Sequence, residues 1–384
     1  MHTFWTALFG LIAFLWAVQA IEIARGIRLV PHLKDVAPAD GQNLPRISIL
    51  VAARDEARKL PEALASFLAL DYPNYEVVAV NDRSTDDTRK ILDAAAREHP
   101  NLKVVHIESL PESWLGKPHA LQQAYEHSTG QWLVFTDADV YFAPDVLRRS
   151  IAMTLANRWD HLTLLGRAEM FRFFEKITMT FFGFGFVIGT KPWQAHNPKS
   201  RGYLGVGAFQ MVRRSSYEAM GTHRKLHMEV IDDMKLGKLI KEAGFSSGAA
   251  RAGESVSVHW HDGVRNIVRG TTKNFFATSG FSVPRTLFRM FGLLLMCVLP
   301  ICALPFTHGL ALAFDIIAIA LPVIAHGEAA REFGVSRLWG LSLPIGALIF
   351  VWMLGRSMIV TLRQDGIEWR GTFYPLKDLK SGIV

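Results

Sequence analysis

Asp137 and Asp139 stand one residue apart where the apolar run at positions 132 to 135 ends, in the stretch QWLVFTDADV. Carboxylates at i and i+2 of an extended segment point to the same side. Their repulsion is relieved when a cation sits between or beside them, and hard divalent ions such as Mg²⁺ or Mn²⁺ take oxygen ligands and complete their shell with substrate phosphates. A second acidic pair, Asp232 and Asp233, opens IDDMKLGKLIKEAG. Neighbouring carboxylates either complement the dipole of a helix's first turn or couple so that one becomes a proton acceptor in its working range. Asp55 and Glu56 follow the apolar run ISILVAAR, and Asn81 and Asp82 follow EVVAV. Asp86 reads as a helix cap, and Asp82 taken alone as a turn former.

The elements that position these groups alternate. RISILVAAR is a short strand after the breaker Pro45, and EARKLPEALASFLAL has helical spacing at Leu60, Leu64, Phe67 and Leu68. EVVAVNDRS, LKVVHI and QWLVFT read as further strands, with TDDTRKILDAAAREH and KPHALQQAYEHS as the helices between them. This order predicts an α/β domain with an open, mostly parallel sheet, whose ligands sit at the carboxyl ends of the strands. Three of the strands deliver acids to that edge.

The chain has 384 residues, 50% of them hydrophobic, and the apolar ones gather at its ends. From Thr3 to Ile21 only Thr6 and Gln19 interrupt an apolar run of about 19 residues, enough for a transmembrane helix. A cleaved leader would need a basic start and a small-residue cleavage site, and neither is present. Beyond Arg289 come MFGLLLMCVLPICALPF, LALAFDIIAIALPVIA and LWGLSLPIGALIFVWMLG. The expected organisation is an anchor at 1–23, a globular domain at 24–285, transmembrane helices at 286–361 and a tail at 362–384. The net charge of +7 comes without a Lys/Arg block, which argues against nucleic acid as a partner. Arg25, Arg28, Arg285 and Arg289 flank the spans and orient the domain to the cytoplasm. Three spans after that domain would put the tail outside, although Arg363, Arg370, Lys377 and Lys380 favour the inside, so one C-terminal segment is expected to be re-entrant or interfacial. The aromatic stretch Met170 to Trp193 reads as an interfacial helix or as a buried core helix. Cys297 and Cys302 share an apolar span and offer neither a disulfide framework nor a zinc site.

VAARDEARKLPEALASFLALDYPNYEVVAVNDRSTDDT, GKPHALQQAYEHSTGQWLVFTDADV, GVGAFQMVRRSSYEAMG and IDDMKLGKLIKEAGF resemble, in order, the blocks of an inverting family 2 glycosyltransferase with the Rossmann-like GT-A fold. With its membrane segments, the chain is similar to the branch holding ceramide glucosyltransferases and hopanoid-associated glycosyltransferases. The resemblance implies that Glu56 and Asp82 hold the base and ribose of a nucleotide, and that Lys117 lies near that nucleotide. It implies that Asp137 and Asp139 bind Mg²⁺ or Mn²⁺ with the diphosphate, and that Gly207 and Ala208 line the donor and acceptor pocket. Asp233 matches the usual catalytic base, with Asp232 beside it. Asp55 stands where Asn is commoner. The expected activity is transfer of a single sugar from a nucleotide sugar, a UDP-sugar, to a membrane lipid. A polysaccharide synthase and a silent nucleotide-sugar-binding scaffold are the alternatives. A (Q/R)-x-x-R-W motif is replaced here by VRNIVRGTTKNFF, which disfavours polymer synthesis. Arg265, Arg269 and Lys273 on that segment face either a diphosphate or lipid headgroups, and His259 and His261 read as pocket lining. By the same resemblance, EWRGTFY belongs near the active site.

Overall fold

Alternation along each strand separates two cores. The computed structural model describes residues 2–258 and 263–384. In β1 (Ile47–Ala53), β2 (Tyr75–Asp82) and β4 (Trp132–Asp137), the residues Ile47, Ile49, Val51, Val77, Ala79 and Val134 face one side. There they meet Leu60, Ala63, Leu64 and Phe67 of α2 (Leu60–Leu68), Leu92 of α3 (Thr88–Glu98) and Ile151 of α5 (Val146–Asn157). Leu50, Val78, Val80, Leu133 and Phe135 face the other side, against Ala120 and Leu121 of α4 (Gly116–Glu126), Tyr217 of α7 (Arg214–Met220) and Leu236 and Ile240 of α8 (Asp232–Glu242). Burial on both faces explains why these strands read as continuous apolar runs.

The sheet is completed by β3 (Leu102–Ile107), β5 (Val140–Phe142), β6 (His161–Ala168), β7 (Gln210–Arg213) and β8 (Ser247–Val258), in the order β3-β2-β1-β4-β7-β6-β8-β5. Pairing is parallel across β3, β2, β1 and β4, as the βαβ pattern requires, and antiparallel where β7 joins β4 and β6. Ala52 lies opposite Asp137 and Ala53 opposite Asn81, so the chain leaves β1, β2 and β4 at one edge. This globular unit comprises 30–168, 192–260 and 368–384. Its last part holds β9 (Gly366–Trp369, shared with the other unit), β10 (Thr372–Pro375) and α14 (Leu376–Ser381).

The second unit takes 1–29, 169–191 and 261–367. It contains α1 (His2–Gly26), α6 (Phe173–Thr190), α9 (Gly263–Ala277), α10 (Val283–Leu293), α11 (Leu299–Ala303), α12 (Gly309–Glu332) and α13 (Leu343–Gln364). Among the described residues, four helical segments are long and apolar enough to cross a membrane: Thr3–Leu29, Val283–Phe306, Gly309–Glu332 and Arg337–Gln364. The division cuts across the expected 24–285 domain. The reason lies in α6, whose Phe181 and Phe184 pack with Phe9, Trp16, Leu343 and Ala347 in an apolar core of their own. Gly346 permits that packing, because a Cβ there would meet the Phe181 side chain at 2.7 Å. α6 is therefore buried along one face, while Phe171, Phe173 and Phe174 at its start stay exposed. In α9 the predicted helix forms, with Arg265 and Arg269 on its exposed face.

Candidate active site

Asp137 is the last residue of β4, and Asp139 lies two residues on in the turn before β5 rather than on extended backbone. The turn gives the two carboxylates separate cations. Lys117 Nζ, from the first turn of α4, donates to Asp137 Oδ1 at 2.6 Å, and Lys59 Nζ donates to Asp139 Oδ2 at 3.0 Å. Burial and the neighbouring Asp137 push the Asp139 carboxyl above the usual range, with Lys59 and Lys117 opposing them. Burial alone would lower the Lys117 ammonium; Asp137, Asp232 and Asp233 hold it well above the ordinary lysine range, so it stays charged.

Asp233, in the first turn of α8, reaches the same place. Its Oδ2 accepts the Gly207 N–H at 2.9 Å and its Oδ1 accepts the Met234 N–H at 2.8 Å. A Cβ on Gly207 would sit 2.7 Å from Asp137 Oδ2, 3.4 Å from Asp233 Oδ2 and 3.4 Å from Lys117 Nζ. Three groups from three elements therefore surround one point that only a glycine leaves open. The loop carrying it is seated by close backbone contact: a Cβ on Gly205 would meet the Asp233 carbonyl oxygen at 1.8 Å. Ala208 follows in the wall of this space, buried, and its carbonyl accepts the Thr136 hydroxyl at 2.8 Å. Asp232 is buried.

Glu56 and Asp82 lie on the same edge. Asp82 is bound by Arg83, Nε to Oδ1 at 2.7 Å, and lies 3.8 Å from Arg54 Nη1. Burial raises the Glu56 carboxyl; Arg370 lowers it and the nearby Asp139 raises it further. Asp55 takes a left-handed conformation (φ 52°), and its Oδ1 accepts the Thr85 N–H at 2.7 Å. Asp86 caps α3 from one position before the N-cap Asp87: its Oδ1 accepts the Thr88 N–H at 2.9 Å, and its Oδ2 accepts the Ala57 N–H at 3.0 Å. Sequence reasoning missed Lys59, Arg54 and Arg83, whereas Tyr374 lies in the EWRGTFY stretch expected near the active site. A signal was present for Arg54 and Arg83, which stand beside Asp55 and Asp82. His259 and His261 lie outside the described residues.

Residues 48–221 match the family model described as Glycosyl transferase family 2. The chain carries a glycosyltransferase family 2 domain. It is 31% identical to the beta-monoglucosyldiacylglycerol synthase of Synechocystis sp. over 144 residues, 35% of this chain and 30% of that relative's length. It is 21% identical to the 4,4'-diaponeurosporenoate glycosyltransferase of Staphylococcus haemolyticus over 264 residues, 67% of this chain and 68% of the relative. A mannosyltransferase from Pyrobaculum calidifontis, solved with GDP-Man and Mn²⁺, superposes with a TM-score of 0.54 at 21% identity, covering 93% of this chain and 99% of its own. That likeness establishes the GT-A-like fold of the glycosyltransferase domain.

The donor set suits a hard divalent cation. Mg²⁺ and Mn²⁺ are held by one or two carboxylates together with substrate phosphates and water, and Asp137 turns Oδ2 toward the space above Gly207. Among the described residues no group of three His, Cys, Asp or Glu side chains could hold a metal on its own. A cation here would depend on oxygens that the substrate brings.

Proposed function

We propose that the chain is a membrane-anchored, inverting glycosyltransferase that moves one sugar from a nucleotide sugar, a UDP-sugar, onto the hydroxyl of a membrane lipid. The observation that carries this reading is the convergence of Asp137, Asp233 and Lys117 on the space above Gly207. Asp233 takes the proton of the acceptor hydroxyl as the hydroxyl oxygen bonds to the anomeric carbon. The bond from that carbon to the diphosphate breaks, and its electron pair leaves with the nucleotide. Asp137 and Asp139 would hold a divalent cation, which would neutralise charge on the departing diphosphate. Lys117 and Lys59 orient those two carboxylates, and the Gly207 and Met234 amides orient Asp233.

A lipid acceptor is supported by the apolar unit and by the relatives, whose names specify a glucosyldiacylglycerol and diaponeurosporenoate. Chain connectivity supports the orientation we propose. The tail from Glu368 belongs to the globular unit, which favours an even number of crossings between 283 and 367. On this reading α13 is the re-entrant or interfacial segment. Its start packs on α6, through Phe350 against Phe181 at 5.0 Å, and α6 begins and ends within a few residues of the globular unit. Its end runs into Glu368. Val283–Phe306 and α12 then cross as a pair, α1 crosses once, and the basic tail stays with the cytoplasmic domain.

The test is release of nucleoside diphosphate by the purified, detergent-solubilised chain across a panel of nucleotide sugars, with Mn²⁺ and a membrane-lipid extract. Asp233→Asn should keep donor binding and lose about a hundredfold or more in release, as expected for a general base. Asp139→Ala should weaken donor binding. Lipid-dependent release that survives Asp233→Asn would refute the assignment of the base. Donor binding without release in the wild type would turn the reading to a silent scaffold.

A further inference from the structure

The geometry points to Arg370 and Tyr374, in the strap Glu368–Tyr374, as positioning residues for Glu56 and Asp82, the two acids that the resemblance sets against the nucleotide; the inference rests on the proposed function. Arg370 sits at the hairpin turn between β9 and β10 in a left-handed conformation (φ 50°), followed by Gly371 (φ 74°). This turn aims its guanidinium back across the sheet edge. Nη2 pairs with Glu56 Oε1, and Nη1 donates to the Arg54 carbonyl at 2.8 Å. The loop it grips is held from beneath by the β2–α3 loop. There the Asp55 N–H donates to Ser84 Oγ at 3.0 Å and the Glu56 N–H to Thr88 Oγ1 at 2.9 Å. Arg370 closes that loop from the remaining side and neutralises the acid on it.

Tyr374 does the corresponding work at Asp82. Its ring is buried, and its hydroxyl oxygen accepts the Gly116 N–H at 3.2 Å, one residue before Lys117. The same hydroxyl contacts Arg83, whose Nη2 donates to Asp82 Oδ2 at 3.2 Å. A Cβ on Gly116 would meet Asp82 Oδ2 at 2.6 Å, so Gly116, Asp82, Arg83 and Tyr374 form one packed cluster. The strap is fastened just beyond it by the buried Leu376 and Leu379.

Charge gives the arrangement its consequence. A nucleotide sugar brings a negative diphosphate to an edge that already holds Glu56, Asp82, Asp137 and Asp139, and unscreened like charges repel strongly where solvent is scarce. Each acid has a cation: Arg370, Arg83, Lys117 and Lys59 in the same order. Removing Arg370 frees the loop and takes away the cation that offsets Glu56 beside Asp139, so donor affinity falls while the acceptor-side base is untouched.

The test measures donor binding by calorimetry, donor KM and kcat, and thermal melting on the full chain in detergent with Mn²⁺. Arg370→Ala should raise donor Kd and KM about tenfold, the scale of a lost charge-assisted contact, with kcat changed much less. Arg370→Lys should recover part of the loss. Tyr374→Phe should weaken donor binding by a smaller factor, and the exposed Lys377→Ala should match wild type. If Arg370→Ala does not melt cooperatively, Arg370→Lys and Tyr374→Phe decide by the same readout. Donor binding within about twofold of wild type in the folded strap variants, while Asp139→Ala weakens it, would overturn the strap's role and leave the proposed function standing. A wild-type chain that binds no nucleotide sugar would sink both.

Discussion

At the scale of single residues, Gly207 is the most exacting position. Its missing side chain leaves the space between Asp137 Oδ2 and Asp233 Oδ2, and a methyl group there would overlap the first of these at 2.7 Å. Gly207→Ala is expected to cut kcat about a hundredfold or more while leaving the melting temperature near that of wild type, since a misplacement of about 1 Å costs that much. Unchanged turnover in a folded Gly207→Ala would contradict the arrangement. The acids themselves were legible in the sequence, because carboxylates at the ends of apolar strands have few bland explanations. Of their cations, the resemblance named Lys117 and the stretch holding Arg370, but not the acid that each would meet. Lys59 and Asp139 are 80 residues apart, and Arg370 and Glu56 are 314 apart. Such partnerships are fixed by tertiary folding and leave no trace in local spacing.

Among the elements, β1, β2 and β4 were readable because each is buried on both faces, and α2 because its apolar residues recur at helical spacing; β3, α3 and α4 were readable from the alternation that these set. The second half of the sheet was not. β7 is four residues long, and β8 is a run rich in Ala, Gly and Ser; both are strands because of the neighbours they pair with. One cross-strand contact there carries a prediction. His161 of β6 is fully buried between Ser247 Oγ at 2.8 Å and Gln210 Oε1 at 3.1 Å, and His223 is buried against the Tyr217 hydroxyl at 2.6 Å. Burial holds His161 down to about 4 and His223 to about 3. The unfolded chain, with histidines at about 6.5, therefore takes up protons first as pH falls. Stability is fully present above about 6.5 and is lost on acidification toward 4 for His161 and 3 for His223, at about 1.4 kcal/mol per pH unit for each histidine. Melting temperatures between pH 7 and 5 should fall more gently in His161→Gln than in wild type. Parallel profiles would show that His161 does not titrate in this way.

For the whole molecule, the positive tail and the count of apolar segments conflict, and the topology proposed above relieves the conflict by leaving α13 out of the crossing set. The segment holding α13 is long and apolar enough to cross. The proposal therefore rests on where its two ends go. Single cysteines at the exposed His308, Ser336 and Gln364, in a chain with Cys297 and Cys302 replaced, should react with an impermeant maleimide in oriented membrane vesicles as two classes. Ser336→Cys and Gln364→Cys should label from the cytoplasmic face, and His308→Cys from the opposite one. Labelling of Ser336→Cys and Gln364→Cys from opposite faces would restore α13 as a span. The central claim, that one sugar passes to a lipid, is tested most directly by the product itself. The purified chain would be given a radiolabelled nucleotide sugar, Mn²⁺ and membrane lipids, and the organic phase analysed by mass spectrometry. The account predicts label in an organic-soluble species heavier than its parent lipid by one sugar, absent with Asp233→Asn. Label in a water-soluble polymer, or no label transferred at all, would contradict it.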